Sequence, residues 1–164
     1  MQSILQKLYT QSRAKAISEI LSLYDQEQAV VINFLYFANI VARGLFSTEK
    51  TEKQREYKKI LIKSDFLLPD GIALQLFYAS AKIFGRIESD LLWLNNFNGT
   101  DFVPFFLEDL KKKYGSQKLC ILLYGTKSEH LQKAAENLKF QGYNVIYTQE
   151  GYSEFDWEKA QAAL

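Results

Sequence analysis

The carboxylate best placed to do chemistry in this chain is Asp70, within the segment Ser64–Ala73. A short apolar run ends there in Pro-Asp-Gly, and an apolar segment with helical spacing follows at once. In parallel α/β proteins, such a strand brings a polar side chain to the edge of the sheet where ligands bind. A partly shielded carboxylate at that edge can accept a proton from an attacking hydroxyl group. The alternative is a structural aspartate in a turn or at a helix start, which Pro-Asp-Gly sequences also produce.

A second polar cluster, residues 98–102 (NGTDF), also precedes an apolar helical segment. Thr100 or Asp101 is expected to be the N-cap of that helix. Because a capped helix N-terminus also binds phosphate, the same cluster is a candidate part of a site.

A third candidate is the turn Gly125-Thr126-Lys127-Ser128, between an apolar strand and a helix whose expected N-cap is Ser128. The backbone N–H groups of such a turn can hold a diphosphate. The turn matches neither the dinucleotide-binding glycine pattern nor the P-loop, so an ordinary strand-to-helix turn is the alternative.

Histidine and cysteine usage excludes several classes of metal site. The single histidine, His130, is expected on a helix surface, and a histidine-rich metal site is excluded. The single cysteine, Cys120, is expected in a buried strand; one cysteine allows neither a disulfide within the chain nor a cysteine-rich zinc site. A carboxylate-only metal site stays open, but no Asp-x-Asp cluster supports one. We predict no metal and no cofactor.

The composition is typical of a globular protein. Hydrophobic residues make up 48% and charged residues 24% of the chain, which permits a core and argues against disorder. The length of 164 residues suits a single domain over 1–164. A formal net charge of +1 argues against a nucleic-acid partner. The first residues do not resemble a signal peptide, no apolar run suits a transmembrane span, and the single cysteine fits the reducing cytoplasm.

Strand and helix patterns alternate along the chain. Strands are predicted at 3–9, 29–32, 65–68, 91–94, 118–124 and 144–148. Helices are predicted from an N-cap at Thr10 or Ser12 to 24, then at 34–44, 72–84, 100–114 and 128–140, and from 153 onward. The charged run 47–59 is interpreted as a solvated loop and helix face, and the alternative is a surface that faces phosphate groups or a membrane.

This alternation predicts the α/β class, with a Rossmann-like, mostly parallel sheet and helices on both faces. Ligands bind at the carboxyl ends of strands in such folds. Asn33, Asp70 and the turn at Gly125-Thr126 are all expected at such ends. Asn33 could bind a sugar or a base there, or simply end its strand.

Taken together and in order, these motifs resemble the WecG/TagA/CpsF family of bacterial glycosyltransferases, glycosyltransferase family 26. The resemblance covers nearly the whole chain. The matching strings are Val30–Asn33, Ser64–Ala73, Asn98–Phe102, Leu122–Lys127 and Glu150–Tyr152.

The resemblance implies an inverting, metal-independent transfer of a sugar related to N-acetylmannosamine. The implied donor is a UDP-sugar, and the implied acceptor is a sugar linked to undecaprenyl diphosphate, in polysaccharide or teichoic-acid synthesis. The expected location is cytoplasmic, peripheral at the inner face of the cell membrane. The oligomeric state stays open, a homo-oligomer included.

The resemblance implies that Asp70 is the general base. The expected substrate-binding residues are Asn33, Gly71, Asn96, Gly99, Thr100, Asp101, Tyr124, Gly125 and Thr126.

The sequence departs from the family pattern at several places, and one of them is the connection from Asp70 to Gly99, which is longer than usual in the family. Val31 stands where the family has a threonine, and Asn96 stands where it has an arginine; Arg86 is a hypothetical substitute for that arginine. The family also continues past the Gly-Tyr motif, so the chain is expected to lack the C-terminal part. The alternative function is therefore a non-catalytic homologue of the same fold that binds a nucleotide sugar or a partner. A general α/β nucleotide-binding domain is the third option.

Overall fold

The computed structural model describes residues 2–47 and 51–164. The chain forms two compact units that divide between Phe105 and Phe106. We call them the N-terminal unit and the C-terminal unit and describe each by itself. The prediction of one domain over 1–164 stays a prediction.

The N-terminal unit contains two strands and most of the helices. Its elements are α1 (Gln2–Lys7), α2 (Arg13–Asp25), β1 (Ile32–Tyr36), α3 (Phe37–Ala42), α4 (Glu52–Lys63), β2 (Phe66–Asp70) and α5 (Ile72–Ile83). Helix α6 (Gly99–Tyr114) begins in this unit and ends in the next.

The C-terminal unit contains a second pair of strands. Its elements are a 3₁₀ turn (Ser116–Lys118), β3 (Cys120–Tyr124), α7 (Ser128–Phe140), β4 (Asn144–Gln149) and α8 (Trp157–Ala162). Strands β3 and β4 are parallel, and Tyr124 is paired with Gln149 at their carboxyl ends. Cys120 is exposed, which corrects the prediction of a buried residue, because β3 pairs with β4 alone among the described residues.

Strands β1 and β2 are also parallel, with Ile32 opposite Phe66 and Tyr36 opposite Asp70. The segments before α2 and α6 contact the free edge of β2, where Tyr9 N–H donates to the Leu67 carbonyl and Phe97 N–H to the Pro69 carbonyl. Since the amide and carbonyl of one residue in a strand point the same way, the proline nitrogen also faces this edge. Pro69 therefore removes no hydrogen bond from the β1–β2 pair.

The core of the N-terminal unit lies between this sheet and its helices. Its fully buried members include Ile4, Leu35, Ile40, Leu67 and Leu74. Burial at this depth contributes roughly 1.5–3 kcal/mol for each large apolar side chain.

The predicted strand at 3–9 is wrong, because residues Gln2–Lys7 form a helix. Ile4, Leu5 and Leu8 are buried together, and their spacing is that of one helix face. Only Leu8, just after the helix, forms a bridge to β2, at Leu67.

The boundaries around β1 are also wrong. The strand begins at Ile32 and ends at Tyr36 rather than spanning 29–32, and α3 begins at Phe37 rather than at residue 34. Val31 lies outside the strand, where its N–H donates to Asp65 Oδ2 at 2.8 Å and its carbonyl accepts from the Asp65 and Phe66 amides. The loop before β2 therefore fixes where β1 begins.

Two further elements differ from the prediction. Residues 86–98 contain no regular helix or strand, so the predicted strand at 91–94 is wrong; the Leu94 carbonyl accepts instead from Gln75 Nε2 of α5. The last helix begins at Trp157, with Asp156 as its N-cap, rather than at residue 153.

The α/β class and the parallel pairing are confirmed. Ser12 caps α2 as predicted, and α5 ends just before Gly85. Most of the charged run 47–59 lies in α4 and its N-cap Thr51, but residues 48–50 of that run lie outside the described residues. The Rossmann-like arrangement goes beyond these two pairs of strands and stays a prediction.

Candidate active site

Asp70 is the last residue of β2, at the carboxyl end of the first sheet. The predicted Pro-Asp-Gly turn is wrong in part, because Pro69 and Asp70 belong to the strand and the chain turns at Gly71. Gly71, not Asp70, is the N-cap residue of α5, and no side chain caps that helix. Across the described ranges, no group donates a hydrogen bond to the Asp70 carboxylate or forms an ion pair with it. Asp70 is therefore neither a turn residue nor the N-cap of a helix.

The loop at Asn96 holds the turn that follows Asp70. Asn96 Oδ1 accepts a hydrogen bond from Gly71 N–H at 2.8 Å. The next residue, Phe97, donates its N–H to the Pro69 carbonyl at 2.7 Å. Asn96 and Gly71, both predicted site residues, are thus in direct contact beside Asp70.

A cation that belongs to none of the motifs contacts the same loop. Arg13 Nε donates to the Asn96 carbonyl at 2.9 Å. One sequence signal points to Arg13: it is the first residue of α2, a helix with no acid in its first turn. The helix dipole disfavours positive charge at that end, so a cation there suggests a different role.

Arg86, the hypothetical substitute for the family arginine, is on the wrong side of α5. Asp70 precedes the first turn of this helix, whereas Arg86 follows its last turn. Twelve helical residues separate the two by about 18 Å. The hypothesis is therefore wrong.

The cluster at 98–102 forms the start of α6. Asn98 is its cap: Asn98 Oδ1 accepts from Thr100 N–H at 3.0 Å and from the Thr100 hydroxyl at 2.6 Å. The prediction of Thr100 or Asp101 as the N-cap is wrong by two or three residues. Asp101 is exposed in the first turn, where its charge suits the helix dipole.

Aromatic rings hold this helix start against the sheet. A Cβ atom added to Gly99 would lie 3.8 Å from the Phe34 ring of β1. The Phe34 and Phe102 ring centroids are 5.9 Å apart, and those of Phe97 and Phe102 are 5.6 Å apart. Gly99 and Thr100, at the start of α6, therefore come just after the loop of Asn96 and Phe97 and lie beside β1.

Asn33 does not lie with this group. It is the second residue of β1, paired with Leu67, and its Nδ2 donates to Ser64 Oγ at 2.8 Å. Three residues of strand, about 10 Å, separate it from the level of Asp70. The prediction that Asn33 lies at a carboxyl strand end is wrong; Tyr36 occupies that position.

The C-terminal unit contains the other predicted residues, at the carboxyl end of β3. Gly125 has φ +138° and Thr126 has φ +47°. Gly125 N–H donates to the Gln149 carbonyl, and Gly151 N–H donates to the Thr126 carbonyl, each at 3.1 Å. A threonine with positive φ is strained by roughly 1–3 kcal/mol, a kind of strain found mainly at functional turns.

The turn at Thr126 leads directly into α7. This helix begins at Ser128, and Lys127 is its N-cap residue without a side-chain cap bond, so the prediction of Ser128 as the cap is wrong by one residue. At the end of β3, the Tyr124 hydroxyl donates to the Ser153 carbonyl at 2.8 Å. The turns after β3 and β4 are thereby tied together.

The family model described as the glycosyl transferase WecG/TagA/CpsF family matches residues 4–164, through both units and all of these candidate residues. The chain belongs to this family. It is glycosyltransferase family 26, whose members act in cell-surface polysaccharide synthesis and in general use a nucleotide-sugar donor and a lipid-linked acceptor. No curated protein was found that matches the chain.

Two further findings concern metal binding and membrane spans in the described residues. Over residues 2–47 and 51–164, no three side chains of His, Cys, Asp or Glu are grouped so that they could hold a metal ion. Within the same ranges, no helix has the length and hydropathy needed to cross a bilayer.

Proposed function

We propose that this chain is an inverting, metal-independent hexosyltransferase. It moves an N-acetylmannosamine-like sugar from UDP to a sugar linked to undecaprenyl diphosphate, in polysaccharide or teichoic-acid synthesis. The observation that carries the proposal is Asp70, a carboxylate at the carboxyl end of a parallel strand with no partner in the described parts of the chain. The proposal includes a Rossmann-like fold, which the two parallel strand pairs support.

In this mechanism Asp70 is the general base. The acceptor hydroxyl oxygen attacks the anomeric carbon from the face opposite UDP. The new carbon–oxygen bond forms as the bond to the UDP oxygen breaks, and the electron pair of that bond leaves with UDP. The hydroxyl proton passes to the Asp70 carboxylate. A general base must lie within hydrogen-bonding reach of the hydroxyl, and Asp70 lies at the edge of the sheet where the substrate is proposed to bind.

The remaining residues of the N-terminal group position the base and shape the cleft. Asn96 fixes Gly71, and Asn98 fixes the start of α6 through Thr100. Asp101 is proposed to line the same cleft. Asn33, near the amino end of the sheet, has no part in this mechanism.

The departing diphosphate must be stabilised by N–H donors or cations. We assign donor binding in the C-terminal unit to Tyr124, Gly125 and Thr126. The support is the strained Thr126 backbone and the first turn of α7, whose N–H groups are not capped by a side chain. With a lipid-linked acceptor, the protein acts as a peripheral protein at the inner face of the cell membrane.

Substitution of Asp70 by asparagine tests this function. Asp70→Asn keeps the shape of the side chain but cannot accept the proton, so transfer from UDP-sugars to a lipid-diphosphate-linked acceptor should fall by about 10²–10⁴-fold. UDP affinity, measured by calorimetry, should stay within about twofold. Asp90→Asn, an exposed aspartate in the 86–98 loop, is the matched control and should leave transfer unchanged. Full activity of Asp70→Asn would overturn the mechanism.

A non-catalytic homologue is the second candidate, and one contact favours it. Asn96, where the family has an arginine, is occupied in holding the Gly71 amide. A non-catalytic protein would bind UDP but transfer no sugar from any UDP-sugar donor. Sugar transfer from any one UDP-sugar would show that the chain is an enzyme and would exclude the non-catalytic alternative.

A further inference from the structure

The diphosphate that leaves with UDP needs cations or N–H donors, and neither Asn96 nor Arg86 supplies a cation beside Asp70. Arg13 is a cation in contact with the 95–97 loop, which holds the turn that follows Asp70. Its Nε donates to the Asn96 carbonyl at 2.9 Å, and Asn96 Oδ1 in turn accepts from Gly71 N–H at 2.8 Å. A single residue therefore joins the guanidinium to the turn that follows Asp70.

The hydrogen bond at Nε leaves most of the guanidinium unused. Neither Nη group donates to a residue within the described ranges, and Arg13 forms no ion pair with Asp70 or with any other described acid. The side chain is partly buried, so its charge is less screened than that of an exposed lysine. A fixed guanidinium with free Nη groups presents the planar pair of donors that binds phosphate oxygens in a bidentate way.

We propose that Arg13 binds a diphosphate group of a substrate beside Asp70. The inference rests on the proposed function and adds to it a binding residue from the N-terminal helix α2. Both substrates contain a diphosphate: the leaving UDP and the lipid-linked acceptor. In either case Arg13 neutralises charge next to the base without pairing with the base itself.

A purely structural role is the competing explanation. The 95–97 loop is also tied to the N-terminal segment by Asn95 Nδ2, which donates to the Gln11 carbonyl at 3.1 Å. Arg13 could simply add a second such tie. The two roles differ in what they affect, because a structural tie has no preference between ligands with and without phosphate.

The test compares Arg13→Gln, Arg13→Lys and the control Lys15→Gln. Lys15 is two residues away and exposed, and Lys15→Gln removes the same charge. We measure the affinity for UDP and for uridine by calorimetry, and the KM for a short-chain prenyl-diphosphate-linked sugar. Arg13→Gln should weaken the binding of one diphosphate ligand, UDP or the acceptor, about tenfold or more, as expected for the loss of a charged hydrogen bond. The affinity for uridine should change by less than about twofold. Arg13→Lys should recover part of the loss, and Lys15→Gln should change neither value by more than twofold.

The outcomes separate the two diphosphates and the two proposals. Weaker UDP binding assigns Arg13 to the donor, and a raised KM with unchanged UDP binding assigns it to the acceptor. The role of Arg13 is overturned if the UDP affinity and the acceptor KM are both unchanged. It is also overturned if UDP and uridine binding weaken equally and the melting temperature falls. In either of those cases the proposed function stands if Asp70→Asn still abolishes transfer. A protein that neither binds UDP nor transfers sugar before substitution overturns both.

Discussion

The Asp70 carboxylate depends on the backbone of Gly71 for its position. Gly71 has φ +86° and ψ 152°, a conformation that is essentially restricted to glycine. A Cβ atom there would meet nothing within 4 Å, so the requirement comes from the backbone and not from crowding. The Asn96 side chain holds the turn through Gly71 N–H. The base is therefore oriented by a turn that requires glycine and that one side-chain hydrogen bond stabilises.

Gly71→Ala should expose this dependence. We expect the free energy of unfolding to fall by roughly 1–3 kcal/mol, because alanine cannot adopt this φ without strain. The transfer rate should fall as well, because relief of the strain would redirect Asp70. Urea unfolding followed by circular dichroism measures the first effect. Ala73→Ser, on the exposed face of α5, is the control and should change stability by less than about 0.5 kcal/mol. Equal stability of Gly71→Ala and the unsubstituted protein would show that the turn does not need this conformation.

At the scale of elements, the sequence predicted the order of helices and strands better than their limits. The β-branched run Val30-Val31-Ile32 indicated a strand, but β-branched residues fit several registers equally well. Pairing with β2 decides the register by placing Ile32 opposite Phe66. The shift carries Asn33 away from the strand end, which local sequence could not reveal.

Other elements were predictable because their signals are local. Gly71 and Gly85 delimit α5, and Ser12 caps α2. The segment 3–9 was ambiguous because its apolar residues fit a short strand and a short helix alike. The cap of α6 was misplaced because the cluster offers adjacent asparagine, threonine and aspartate side chains, all good caps; hydrogen bonds select Asn98.

The turns after β3 and β4 form a single packed element, and Gly151→Ala tests it. A Cβ atom on Gly151 would lie 2.7 Å from the Gly125 Cα, closer than packed atoms approach. We expect a loss of roughly 1–3 kcal/mol in the stability of the C-terminal unit, because backbone must move to accept the methyl group. Thermal unfolding followed by circular dichroism measures the loss. Gln161→Ala, exposed on α8, is the control and should change stability by less than about 0.5 kcal/mol. A Gly151→Ala protein as stable as the control would contradict the close approach.

Contacts between residues that are far apart in the chain could not be predicted from the sequence, whereas features with local signals could. Arg13 and Asn96 are 83 residues apart in the chain, and no local pattern links them. The division into two units was also not foreseen, because the boundary falls inside α6 with no linker or change of composition. The position of Asp70 at the end of a strand, by contrast, was predictable, because the strand and helix signals on either side of it lie within ten residues of sequence.

A UDP-dependent transferase should be stabilised by UDP, because a ligand that binds only the folded protein shifts the unfolding equilibrium. At a UDP concentration of 100 times Kd the gain is about 2.7 kcal/mol. For a chain of this length that corresponds to a rise of roughly 5–10 °C in melting temperature. Differential scanning fluorimetry measures it, with ADP as the control that keeps the diphosphate and changes the base. Equal shifts with ADP and UDP would argue against a uridine-specific site.

Hydrogen exchange then locates the stabilisation along the chain. If Gly125 and Thr126 hold the donor, UDP should slow amide exchange in the peptide that contains this turn and the first turn of α7. The peptide of α4, Glu52–Lys63, serves as the internal reference and should exchange at an unchanged rate. Protection confined to peptides of the N-terminal unit would remove Gly125 and Thr126 from the donor site, because a diphosphate bound to the Thr126 N–H or to the first N–H groups of α7 must slow the exchange of those amides.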